Sequence, residues 1–145
     1  MSGSTCQIEI NRPVDEVFSW LDDAEKAVRW IGGLEEIVPL TEGGNRVGAQ
    51  AKHVYLEGGR RMEMLEETLV YEPHRRVKIR GEADSFTMTA EYVLTPLGDA
   101  TLVELTSGAQ FKGGLMRALS PLLSGFSNRR VMKDLRTLKS LVEST

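Results

Sequence analysis

The chain is poor in the residues that build the commonest reactive sites. It holds a single cysteine, Cys6, which excludes an intramolecular disulfide and fits a reducing, cytoplasmic setting. Two histidines, His53 and His74, with that one cysteine cannot supply a structural zinc site of the usual spacing. Neither H-E-x-x-H nor G-x-S-x-G occurs. Gly-Gly pairs stand at 32–33, 43–44, 58–59 and 113–114, but none belongs to G-x-G-x-x-G or G-x-x-x-x-G-K-[ST]. They read as turns, and a phosphate cradle has no support. No apolar run approaches the roughly 18 residues that a membrane span requires, so stable membrane insertion is not expected. Met1-Ser2-Gly3-Ser4-Thr5 lacks the basic start and apolar stretch of a signal peptide. Positive charge is not in excess: the net charge of −3 argues against duplex nucleic acid as a partner.

What is present is a globular balance. Hydrophobic residues at 41% against 27% charged exclude a disordered tail or a fibre. A length of 145 residues fits one domain, 1–145, large enough to bury a core without staples.

Gln7-Ile8-Glu9-Ile10 alternates as a strand. Pro13 then opens a helix whose buried stripe is Val14, Val17, Phe18 and Leu21, with Asp15 and Glu16 where the helix dipole favours carboxylates. A second short helix is predicted over Ala24 to Ile31, stopped by Gly32-Gly33. From there to Phe111 the period is two, with regular turn signals, which predicts an antiparallel meander.

A turn on Gly58-Gly59 sets Tyr55 against Met62, His53 against Met64 and Ala51 against Glu66, all on one face. A turn at Ala83-Asp84 pairs Ile79 with Met88 and Val77 with Ala90. A loop from Leu97 to Ala100 pairs Leu94 with Val103, Tyr92 with Leu105, Ala90 with Ser107, and Phe86 with Phe111. Each hairpin sorts an apolar face from a more polar one, and a one-residue slip would invert the sorting. The remaining apolar element, Gly113 to Ser144, is expected to lie as a long helix across that face.

The order of these features resembles a known superfamily. It comprises a strand, a Pro-led helix with Val17-Phe18, Trp30 after a second helix, Val47-Gly48 opening a strand, Tyr71-Glu72-Pro73 between strands, and Phe111-Lys112-Gly113-Gly114 before a final helix. It is similar to helix-grip proteins: START lipid-transfer domains, polyketide cyclase/dehydrases, birch-pollen allergen proteins and accessory proteins of carbon monoxide dehydrogenase. The resemblance covers about residues 6–143 and implies an α+β fold. In it a curved antiparallel sheet of six to seven strands wraps a long C-terminal helix, with two short helices after the first strand. It also implies an internal cavity for small hydrophobic molecules, without metal or cofactor, and it does not fix one reaction.

With that cavity, the expected wall is Met62, Met64, Ile79, Phe86, Met88, Tyr92, Leu105 and Ser107, with Phe126 and Arg130 from the C-terminal segment. His53 and Glu66 are diagonal neighbours in the proposed register, close enough for the carboxyl to orient the imidazole for proton transfer. A bulge after Met64 would instead turn Glu66 outward. Tyr55 or Tyr92 would polarise a ligand carbonyl. Three readings stay open: a carrier of a small lipid- or polyketide-like molecule; a metal-free cyclase/dehydrase-like lyase or isomerase using His53, Glu66 and Tyr55; and an accessory protein docking to a membrane or partner through a basic helix.

The last reading rests on charge. Residues 112–145 carry net +5 and residues 1–111 net −8. The apolar stripe Leu115, Leu119, Leu122, Phe126 is rotated by roughly 160° from Val131, Leu135, Leu138, Val142, so one straight helix cannot bury both. Ser120-Pro121 and Gly125 are the available breaks. Either the first part is a lid beside the cavity mouth or one stripe makes a homodimer contact. Arg130, between the stripes, either reaches the mouth to hold a ligand carboxylate or phosphate, or is paired at the surface.

Overall fold

A computed structural model describes residues 2–112 and 128–145. The chain begins with strand β1 (Ser2–Ile10), helix α1 (Val14–Asp22) and helix α2 (Ala24–Trp30). Six strands follow: β2 (Leu34–Pro39), β3 (Gln50–Glu57), β4 (Arg60–Glu72), β5 (Arg76–Glu82), β6 (Phe86–Leu97) and β7 (Ala100–Phe111). Helix α3 (Asn128–Glu143) closes the described chain. All pairs are antiparallel, and the seven-stranded sheet has the order β1-β7-β6-β5-β4-β3-β2. This is the expected α+β helix-grip arrangement, with the longer of the two predicted strand numbers.

Local chemistry sets the helix ends. Pro13 stands at the N-cap of α1 in extended conformation, and Asp15 and Glu16 occupy the first turn. Asp23 alone separates α1 from α2. Its backbone N–H closes α1 on the Ser19 carbonyl, while its carboxylate accepts the Glu25 N–H at 2.9 Å and caps α2. α2 ends one residue earlier than predicted, at Trp30, and Gly33 takes a positive φ that turns the chain into β2.

The hairpin registers were legible to different degrees. Around Gly58-Gly59, both glycines have positive φ, and the pairs Tyr55–Met62, His53–Met64 and Ala51–Glu66 form as predicted. The β6–β7 pairs also form as predicted, though the connection is a two-residue turn, Leu97 pairing directly with Ala100. The β5–β6 register is corrected by two residues: Ile79 pairs with Ala90, Val77 with Tyr92, and Gly81 with Met88. The turn after Glu82 is longer than Ala83-Asp84, closing with the Ala83 N–H on the Phe86 carbonyl at 2.9 Å. Packing favours this register. A Cβ at Gly81 would sit 2.3 Å from the Met64 sulfur, so only glycine lets Met64 and Met88 meet there. An even shift keeps every side chain on its predicted face.

α3 spans about 24 Å at 1.5 Å per residue. It buries Val131, Leu135, Leu138 and Val142, the second predicted stripe, and packs chiefly on β1 with α1 and α2 behind it. Lys139 on its flank donates to the Glu9 carbonyl and to Glu143, each at 2.7 Å, so part of the basic face is spent holding β1. The expectations for Leu115 to Phe126, the lid and the first stripe, lie outside the described residues. Among the described residues no helix is long and apolar enough to cross a membrane.

Leu135 is fully buried at the centre of that contact. Leu135→Ala should lower unfolding stability by about 2–5 kcal/mol, through lost transfer energy and the cavity left behind. Urea denaturation measures it, and a loss below about 1 kcal/mol would show that α3 contributes little to the core.

Candidate functional site

The inward side chains of the sheet and the inner sides of α2 and α3 enclose a cavity of about 580 Å³. That lies within the range of small-molecule sites, roughly 300–1,000 Å³. It persists because small side chains stand where bulk would be needed: Ala49, Ala51 and Ala90 on the sheet and Ala27 on α2. Apolar surface dominates, from Trp30, Ile79, Met88, Leu105 and Val131 among others.

The acid–base pair forms by strand alternation. Met62, Met64 and Glu66 point inward in turn along β4, and the bulge falls between Thr68 and Val70, beyond Glu66. Glu66 therefore stays inside, 5% exposed. His53 Nδ1 lies 3.1 Å from Glu66 Oε2, yet it is out of line for a hydrogen bond and Nδ1 has no other partner. Burial disfavours charge on both groups: it raises the Glu66 carboxyl to about 8 and lowers the His53 imidazole to about 4. At neutral pH the pair is accordingly a protonated acid beside a neutral base.

Aromatic groups frame the pair. The His53 ring stacks on Tyr55, with centroids 6.4 Å apart. Burial raises the hydroxyls of Tyr55 and Tyr92, and the nearby charges of Glu66 and Asp134 push both further up. Trp30 meets Tyr92 edge-on at 6.3 Å and donates its indole N–H to the Trp20 carbonyl at 2.9 Å. Trp30 is thus a fixed wall under the helices. Ser107 Oγ, from β7, is buried without a partner.

The mouth has its own polar chain. Tyr71 donates to Asp22 at 2.8 Å, Asn45 donates to the other Asp22 oxygen at 3.1 Å, and Thr68 donates to the Asn45 carbonyl at 2.6 Å. These bonds tie the end of α1 to the β2–β3 loop and to β4.

Eight of the residues expected at the site line one cavity: His53, Tyr55, Glu66, Ile79, Met88, Tyr92, Leu105 and Ser107. Met62, Met64 and Phe86 face the same way but do not line it: Met64 and Phe86 are buried in the core, Phe86 against Phe111 at 5.9 Å, and Met62 is partly buried against that core. Phe126 lies outside the described residues. Arg130 does not line the cavity either; it sits at the rim over Gly32, paired with Glu57 and 3.8 Å from Asp134. His74 is exposed with a positive φ and touches Phe18 edge-on.

Sequence reasoning missed Asp134, Asp22, Asn45 and Thr68, all in the lining. Asp134 accepts the Gly32 N–H at 3.2 Å, and burial raises its carboxyl. Its signal was available: it follows Val131 by three residues and so shares the inner edge of the α3 stripe.

The two shifts make a pH prediction. Glu66 holds its proton more tightly folded, about 8, than at its ordinary 4.5, so its contribution is full below pH 4.5 and is lost as pH rises through about 8. His53, about 4 against 6.5, contributes fully above pH 6.5 and loses this as pH falls through about 4. The slopes cancel between, and the wild type should lose roughly 1–2 kcal/mol from about pH 6.5 to pH 8. Glu66→Gln should abolish that alkaline loss and expose the acid-side loss from His53. Melting temperature against pH tests this; an unchanged alkaline limb in the variant would mean that Glu66 is ionised in the folded protein.

Known structures share this architecture. A protein from Thermus thermophilus superposes with a TM-score of 0.79 at 20% identity, over 99% of this chain and 98% of the other. The Zhui aromatase/cyclase from Streptomyces sp. R1128 gives 0.81 at 16%, over 98% and 93%. A START superfamily protein from Mycobacterium smegmatis gives 0.78 at 15%, over 98% and 97%. At such identities the likeness is one of fold. No curated protein sequence matches significantly. The family described as polyketide cyclase / dehydrase and lipid transport matches residues 3–143, nearly the whole chain, and this helix-grip protein belongs to it.

Proposed function

We propose that the protein binds one small, flat, largely apolar molecule between the sheet and α3, with its polar groups meeting the few polar side chains of the wall. Family membership and the START-like fold support hydrophobic ligand binding in general. The observation that carries the proposal is the cavity itself: about 580 Å³, mostly apolar, with Ser107 Oγ and His53 Nδ1 in its wall making no hydrogen bond among the described residues. A buried polar atom without a partner costs about 1–3 kcal/mol, and a ligand atom that satisfies it recovers that energy.

The Glu66–His53 pair favours a second reading, proton-transfer catalysis; one structural neighbour is named an aromatase/cyclase. In a dehydration, neutral His53 would take the proton α to a ligand carbonyl while Tyr55 or Tyr92 donates to the carbonyl oxygen. The β-hydroxyl would leave with the Glu66 proton as water. The imidazolium would then return its proton to Glu66, restoring the starting pair. Burial supplies both roles, since it keeps the acid protonated and the base neutral near pH 7.

Binding is tested with an apolar fluorescent dye and by native mass spectrometry. The dye should bind and raise the melting temperature. Met88→Trp should weaken binding at least about tenfold while costing about 1–3 kcal/mol of stability. A dye that binds the variant equally would place it elsewhere, and failure of every apolar probe to bind would overturn the reading. For catalysis, β-hydroxyketones are the assay substrates. His53→Ala should cut turnover by about 10²–10⁴ with affinity kept within a few-fold. Unchanged turnover in that variant would remove His53 from the chemistry.

A further inference from the structure

The cavity is one-sided in charge. Asp22, Glu66 and Asp134 line it, and among the described residues no lysine or arginine does. The Arg130 guanidinium at the rim is engaged by Glu57 and Asp134, so a carboxylate or phosphate ligand would meet acids on the wall itself. The three acids are not equivalent. Asp22 accepts from Tyr71 and Asn45. Asp134 accepts the Gly32 N–H and has the Arg130 guanidinium 3.8 Å away. Glu66 is the most buried of them, and among the described residues no hydrogen bond reaches its carboxyl; the misaligned Nδ1 of His53 lies 3.1 Å away.

A second observation points to a ligand independently of the acids. Ser107 is 7% exposed, lines the same cavity and leaves its hydroxyl unpartnered among the described residues. It stands three strands from Glu66, roughly 14 Å along the sheet, so it addresses another part of the same ligand.

We propose that the ligand is an amine: a small, largely apolar molecule whose basic nitrogen seats on the Glu66 carboxyl. This rests on the reading that the cavity binds a small apolar molecule, and it names the class. As the ammonium seats, the Glu66 O–H proton leaves to the solvent, and an ammonium N–H donates to the carboxylate so formed. Tyr55 and Tyr92 are near enough for the Glu66 charge to act on them, and their ring faces suit a cation. The Ser107 hydroxyl serves a second polar atom at the far end.

The proposal has a proton signature. In the free protein Glu66 keeps its proton up to about pH 8, so an amine already protonated in water displaces that proton when it binds. Affinity should rise about tenfold per pH unit between about pH 6 and pH 8, with up to one proton released. The other titratable groups facing the cavity are His53, Tyr55 and Tyr92, all neutral across this range, with Asp22 at the mouth and Asp134 beside Arg130.

Isothermal titration of the full chain with naphthylethylamine, naphthylethanol and naphthylacetic acid, in buffers of different ionisation enthalpy, tests this. Near pH 8 the amine should bind at least about tenfold more tightly than the alcohol, with the acid weakest. Glu66→Gln should reduce the amine to the affinity of the alcohol and abolish proton release, leaving alcohol binding within about threefold. Asp134→Asn should keep the amine preference. Proton release in the wild type reads Glu66 without any variant. An amine no tighter than the alcohol, a preferred acid, binding without proton release, or a preference lost in Asp134→Asn and kept in Glu66→Gln would each overturn the assignment. If only the alcohol binds, the cavity reading stands and the amine falls; if no probe binds, both fall.

Discussion

One sheet with a single inward face governs everything else in this molecule. The seven strands are joined edge to edge without a break, so their alternation decides for every residue whether it meets solvent or the interior. A sheet of that width curves, and the three helices among the described residues do not cover all of its concave side. α3 packs over β1, α1 lies against β6 and β7 and α2 against β2, and Met64 and Phe86 belong to the buried core. What the helices leave uncovered, bordered by alanines, is the cavity.

Within that space the cost of charge does the chemical sorting. A carboxyl and an imidazole placed in the same dry wall respond oppositely to burial: the acid retains its proton and the base sheds its own. No metal or neighbouring charge is required to bring a proton donor and a proton acceptor together. A ligand can take the donor's proton for binding or use both groups for turnover, and the same geometry serves a carrier or a catalyst.

Much of this was legible in the chain. Period-two alternation and the Gly58-Gly59 turn located His53, Tyr55 and Glu66 on one face, because a primed turn leaves no freedom of register. The β5–β6 register was not legible. Ala83-Asp84-Ser85 carries no glycine to mark its ends, and the decisive fact, two methionine sulfurs meeting over Gly81, is tertiary. Face membership also says nothing about depth along a curved sheet. Met64 and Glu66 have the same parity, but one packs in the core and the other opens on the cavity. Asp134 was hidden for another reason: its importance depends on which side of α3 meets the sheet, and the apolar stripes of the C-terminal segment pointed two ways.

The corrected β5–β6 hairpin carries a lesson about how such a protein can change. Lengthening a turn by an even number of residues slides one strand past the next without exchanging inside for outside, so the cavity keeps its polarity while its lining is re-dealt. An odd change would turn a hydrophobic row to water unless a bulge absorbed it, as between Thr68 and Val70 or Leu34 and Glu36. Hairpin length in this architecture therefore behaves as a counter in steps of two. Relatives that differ by such steps can present new side chains to a ligand at an unaltered wall.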